Sequence, residues 1–196
     1  NVAAGADDDV VTLDAGATIG GTVTGDAGLD TFNLTGAGSV SADLDGGTDD
    51  DVFTLSSTVV LSGSIVGGTG IDDLQGGDVA STYAVDGAGQ GVLRLSSNST
   101  LRVDSFNGVE SLTGGSAADT FRLDSAGNVT DIVGGGGMDT LEGSNASNAV
   151  VIDSLNGGTL TVGTTITFSE VETVDGRDGD DSFTVTPEHL QKCTVS

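Results

Sequence analysis

The sequence predicts an all-β chain wound as a single-stranded parallel β-helix, a β-solenoid of about nine coils of ~21 residues. Three observations predict it. The pattern D-x-[FVL]-x-[LVG] starts at Asp9, Asp30, Asp51, Asp72, Asp119, Asp139 and Asp181, and the first three intervals are each 21 residues. Short apolar segments ending in glycine precede the aspartates, and their Val23, Leu44, Ile65, Leu112, Ile132 and Val174 advance in step with them. The apolar residues after each Asp stand two apart, on one face of a strand, and helical three-and-four spacing is absent apart from a turn expected at 187–192.

The first four coils carry DVVTL, DTFNL, DVFTL and DDLQG. The next interval is 47 residues and is expected to hide a coil without Asp, GVLRL at 91–95, with Gly91 in the Asp place. DTFRL and DTLEG follow, 20 residues apart. An interval of 42 then hides GTLTV at 158–162, with Gly158 in the Asp place, before DSFTV ends the series. Val, Thr, Ile and Phe favour strands, while Gly, Asp and Asn favour corners. Stacking puts Phe32, Phe53, Phe121 and Phe183 in one interior column, with Val11, Leu74, Leu93, Leu141 and Leu160 filling it elsewhere. A larger unit of about three coils also repeats: 106–123 reads against 168–185 at an offset of 62, and 67–76 against 134–143 at 67. The repeat domain is expected to span 1–186. PEHLQKCTVS at 187–196 breaks the pattern as a tail or cap.

Composition narrows the function. The net charge is −25, from 30 acids against 5 bases, which argues against phosphate-mediated nucleic-acid binding and against adhesion to an anionic membrane. Such a chain attracts cations. Of the acids, 25 are Asp and only 5 Glu, a bias toward the residue of turns and calcium sites. Cys193 and His189 are the sole cysteine and histidine, so an internal disulfide, zinc, haem and iron–sulfur sites lack ligands. No apolar run of about 18 residues offers a membrane span, and insertion is not expected. Arg94 and Arg102 are expected to pair with surface acids, and Tyr83 to pack or sit at an edge. An enzyme is not expected: the bases are scattered, and with the Phe residues inside there is little to line an aromatic substrate groove.

The turns themselves carry the sharpest motif. GGTGIDDLQ (67–75) and GGGGMDTLE (134–142) match G-G-x-G-x-D-x-U-x, where U is a large apolar residue. GDAGLDTFN (25–33) and GRDGDDSFT (176–184) lose the second Gly; GGTDDDVFT (46–54) and GGSAADTFR (114–122) lose the fourth. In these features the chain resembles the repeats-in-toxin calcium β-rolls, and more closely the degenerate β-solenoid repeats of large bacterial surface and adhesin proteins. The resemblance implies a β-roll-like parallel solenoid, export to the cell surface or medium, and calcium-assisted folding. It implies calcium ligands from the carboxylates of Asp9, Asp30, Asp51, Asp72, Asp119, Asp139 and Asp181 and from the turn backbone at Gly67, Thr69, Gly134 and Gly136. One motif per coil, where the familiar roll has two, leaves at most one row of sites. A second explanation stays open: each Asp caps its own turn by hydrogen bonds. The function this implies is a structural or adhesive spacer. Its partners are the neighbouring repeat modules of a longer chain, and host or matrix glycans or proteins. A carbohydrate-binding or polysaccharide-processing β-helix is the alternative.

Overall fold

The computed structural model describes residues 1–87, 90–124 and 129–186 and the backbone of 194–195. All regular structure among them is β, in two parallel-rich sheets of eleven and ten strands. Alternation works as the sequence predicts. Strand β4 (Thr31–Thr35) buries Phe32 and Leu34, and β6 (Val52–Leu55) buries Phe53 and Leu55. Their Thr and Asn side chains face outward.

The N-terminal part is the most regular. Strands β1 (Val2–Gly5), β3 (Thr18–Ala27), β5 (Gly38–Thr48) and β7 (Val59–Thr69) pair in order in the eleven-stranded sheet. Strands β2 (Val10–Asp14), β4, β6 and β8 (Asp73–Gln75) pair in order in the other. The chain therefore visits the two sheets in turn, and each strand lies parallel to the one a repeat later. Val23, Leu44 and Ile65 are in register in one sheet; Val11, Phe32, Phe53 and Leu74 are in register in the other. The Phe32 and Phe53 rings stack at 4.9 Å.

Beyond β8 the structure departs from the predicted parallel winding. Strands β9 (Ser81–Gly87), β10 (Gln90–Leu95) and β11 (Leu101–Asn107) form an antiparallel meander, whose last strand returns parallel to β7. GVLRL is its middle strand and not a hidden coil, so Gly91 does not stand in the Asp place. Strands β12 (Ser111–Thr113), β13 (Thr120–Leu123), β14 (Asp131–Val133) and β15 (Thr140–Glu142) resume the alternation. A second meander follows in the opposite sheet: β16 (Ala149–Ser154), β17 (Gly157–Val162) and β18 (Thr164–Ser169). GTLTV is again a middle strand, and Gly158 is not an Asp substitute. Strands β19 (Thr173–Asp175), β20 (Ser182–Val185) and β21 (Thr194–Val195) end the chain. β21 pairs with β19, so part of the expected tail joins a sheet; the helical turn, His189 and Cys193 lie outside the described residues.

The two meanders explain the longer sequence period. Each unit is a meander followed by alternating strands, and it visits the sheets an odd number of times. The second copy therefore begins on the opposite sheet, and each sheet receives one meander.

Two predicted columns are redrawn by this topology. Leu112 and Ile132 continue Leu74 in the ten-stranded sheet, and do not extend Val23–Leu44–Ile65. Phe121 stands with Tyr83, Leu93, Leu141 and Val174 in the other sheet, apart from Phe32 and Phe53. Phe183 pairs with Val150, which pairs with Leu160. Tyr83 is a packing residue, fully buried and stacked on Phe121 at 4.7 Å. Arg102 is buried as well, against the expectation of a surface ion pair. Its guanidinium donates to the carbonyls of Ser56 and Val59 and to Ser81 Oγ. Arg94 donates to the Ser99 carbonyl.

Candidate functional site

The repeated aspartates form hydrogen-bonded ladders between coils. The backbone N–H of Asp9 donates to Asp30 Oδ1, that of Asp30 to Asp51 Oδ1, and that of Asp51 to Asp72 Oδ1, each at 2.8 Å. Each carboxylate thus caps the turn of the coil before it, not its own turn. The row does not stop at Asp72. The Asp72 N–H donates to Glu110 Oε2 at 3.2 Å, so Glu110, not Gly91, is the neighbour.

A second ladder lies in the other sheet. The N–H groups of Ser81 and Asp119 donate to Asp119 Oδ1 and Asp139 Oδ1, and the Asp139 N–H donates to Glu172 Oε2, all at 2.7 Å. A third, short one joins Asn148 N–H to Asp181 Oδ1 at 2.8 Å. Asp72 and Asp139, which carry the two complete motifs, are therefore in different ladders. Sequence reasoning missed Glu110, Glu172 and Asn148. VESL and VETV hold the signal for the glutamates, since E-x-[LV] matches D-x-[FVL] once the acid is allowed to be either type. Nothing local marks Asn148.

The second carboxylate oxygen is the unusual atom. Asp30, Asp51, Asp72 and Asp139 are at most 1% exposed, and their Oδ2 atoms have no hydrogen-bond partner. Each Oδ2 sits over the glycine five residues earlier. A Cβ there would lie 2.1 Å from Oδ2 at Gly25, 2.2 Å at Gly46, 2.5 Å at Gly67 and 2.9 Å at Gly134. The same four positions also face a main-chain carbonyl of the following coil, from Gly46, Gly67, Gly108 and Glu170 respectively. Only glycine leaves room for both oxygens, which explains why Gly recurs there.

Asn148 occupies the equivalent place in its coil, over Gly143, and supplies what the aspartates lack. Its Nδ2 lies within hydrogen-bond distance of four acceptors: the following coil's Gly176 carbonyl at 2.9 Å and Asp181 Oδ1 at 2.7 Å, and its own turn's Ala146 and Ser144 carbonyls at 2.7 and 3.0 Å. Where the amide puts a donor between coils, the aspartates put a bare oxygen. Asp119 is intermediate: its Oδ2 accepts the Gly115 N–H at 2.9 Å.

Burial pushes the carboxyls of Asp51, Asp72 and Asp139 up to about 6, against the lowering effect of the backbone N–H each accepts. Neighbouring acids add to the rise: Asp72 and Asp30 for Asp51, Glu110 for Asp72, and Asp119 and Glu172 for Asp139. Burial raises Asp119 too, while Arg102 opposes it.

No protein-family model matches the chain. No curated protein and no solved structure is significantly similar to it.

The remaining expected ligands sit at the turns. Gly67 and Gly134 line the oxygen pairs just described; Thr69 and Gly136 are exposed, and the Gly136 N–H donates to the Gly115 carbonyl. Among the described residues, no three Asp, Glu, His or Cys side chains converge on one point. The donor set at each turn is instead one carboxylate oxygen and one main-chain carbonyl: hard oxygens, the chemistry that suits calcium and not a softer metal.

Proposed function

We propose that this chain is a calcium-stiffened parallel β-solenoid, a structural repeat module that spaces or projects its neighbours in a larger secreted or cell-surface bacterial protein. The observation that carries this is the set of buried Oδ2 atoms of Asp30, Asp51, Asp72 and Asp139 without a partner in the protein, each crowding the same glycine as a carbonyl of the next coil. Two acceptors side by side repel unless a cation or a proton lies between them. Asn148 supports the point, because the one coil with an amide there has its donor built in. Bound calcium would be held by these four carboxylates with the carbonyls of Gly46, Gly67, Gly108 and Glu170. It supplies positive charge to a chain of net charge −25 and neutralises carboxylates stacked coil on coil. A spacer needs stiffness rather than a reactive centre. Extracellular calcium would supply the stiffness outside the cell, leaving the chain loose for export.

The test is thermal unfolding followed by circular dichroism, at neutral pH, in chelator and then in millimolar calcium. Calcium is expected to raise the melting temperature, and magnesium to do so far less, because Mg²⁺ demands tighter geometry and sheds water reluctantly. Identical melts in chelator and calcium would sink the proposal.

A further inference from the structure

Four strand-register shifts fall in and beside the first meander: between Gln90 and Gly91 in the β9–β10 pair, between Gly91 and Leu93 and between Leu93 and Arg94 in the β10–β11 pair, and between Val103 and Ser105 where β11 meets β7. An extra residue in one strand bends it and re-aims its side chains. Beside these shifts lies a groove of about 360 Å³ across β7, β9, β10 and β11, within the range of small-molecule sites. Val66 and Val92 form a half-buried aliphatic wall. Phe106 packs under Gly91, where a Cβ would lie 2.4 Å from the ring, so the absence of a side chain keeps the floor open.

The rim is polar. Asp86, Gln90, Ser105 and Asn107 are exposed, and among the described residues none of their side chains is engaged in a hydrogen bond within the protein. They offer two amides, a hydroxyl and a carboxylate, a mixed set of donors and acceptors. No Lys or Arg lines the groove, and the chain carries a net charge of −25, so an anionic ligand is disfavoured. The one aromatic ring is buried, so a nucleobase finds no stacking face. The chemistry that remains is a ligand rich in neutral hydroxyls with an apolar C–H face to lay on Val66 and Val92.

We propose that this groove binds a neutral saccharide, one or two sugar units of a glycan. The carboxylate and amides bridge neighbouring hydroxyls, and the aliphatic wall takes the ring face. The site uses none of the ladder aspartates, so it stands independently of calcium.

The experiment is an NMR titration of the ¹⁵N-labelled chain with neutral trisaccharides of glucose, mannose and N-acetylglucosamine, run both with calcium and with chelator. At least one sugar is expected to move the amides of Gln90–Val92 and Ser105–Asn107 along a saturating curve. Gln90→Ala and Asn107→Ala should each weaken that sugar about five- to tenfold, the loss of one hydrogen bond. Both positions are exposed, so melting should not change. Amides that stay still with every sugar overturn the proposal, as does binding that both substitutions leave intact. Movement with spermidine alone also overturns it, in favour of an ammonium ligand at Asp86.

Discussion

The difference between Asn148 and its aspartate counterparts is one atom, and it makes a sharp prediction. Asp51→Asn keeps an oxygen for the Asp30 N–H and places a donor opposite the Gly67 carbonyl. In chelator at neutral pH it should stabilise the chain by about 1–3 kcal/mol, the cost of a buried unsatisfied polar group. It should also shrink the response to calcium. Asp51→Ala keeps neither contact and should destabilise, so an equal loss in both variants would contradict the account. Gly46 supplies the companion test. A Cβ there would lie 2.2 Å from Asp51 Oδ2 and 2.5 Å from the Gly67 carbonyl, so Gly46→Ala should cost about 1–3 kcal/mol in chemical denaturation. Glu170 sits at φ 56°, in the place that Gly108 takes in the other unit at φ 61°. Glu170→Gly should relieve that backbone and stabilise by about 0.5–1 kcal/mol, read from the same denaturation curves.

Stacked apolar columns hold the strands throughout, and at the first meander a buried arginine adds a polar strut. Phe53 is fully buried between Phe32 and Leu74, and Phe53→Ala should cost about 3–5 kcal/mol, measured as a shift of the urea midpoint. Arg102 is that strut, tying β11 to the Ser56–Val59 turn through two carbonyls. Much of this was legible beforehand. Period-two alternation and the 21-residue spacing identify β2 to β8 almost strand for strand. The meanders were not legible, because G-x-L-x-L reads the same whether a strand runs with its neighbour or against it. Glu110 and Glu172 escaped for a related reason. A longer acid reaches the same N–H, but it enters from the short turn that follows a meander, at a spacing other than 21.

Across the whole molecule, charge sets the conditions for stability. A carboxyl whose folded value lies above its unfolded 3.8 favours folding when protonated. The penalty from Asp51, Asp72 and Asp139 is therefore complete above about 6 and is relieved as pH falls from there toward 3.8. Asp43, hydrogen-bonded by Ser64, and Asp124, paired with Arg177, have lowered values and oppose this only once pH drops below about 3.8. In chelator, melting should rise from pH 7.5 to about 5 and fall again under about 4. The gain from calcium should be largest at pH 7.5 and smaller at 5, where Asp51, Asp72 and Asp139 take up protons. A calcium-free melting temperature that falls steadily over the first interval would contradict this.

What the amino-acid order determined is local: strands that bury every second residue, glycine turns, and an acid at most turns, recurring every 21 residues through the first four coils. These follow from pairwise spacing within one coil, where sterics and alternation decide. What only the tertiary structure decided is which strand lies beside which. It sent the two meanders to opposite sheets, divided the aspartates into separate ladders, and set Glu110, Glu172 and Asn148 beside them. Those choices depend on hydrogen bonds between residues some 20 to 40 positions apart, and a backbone N–H carries no mark in the sequence of the carboxylate that will cap it.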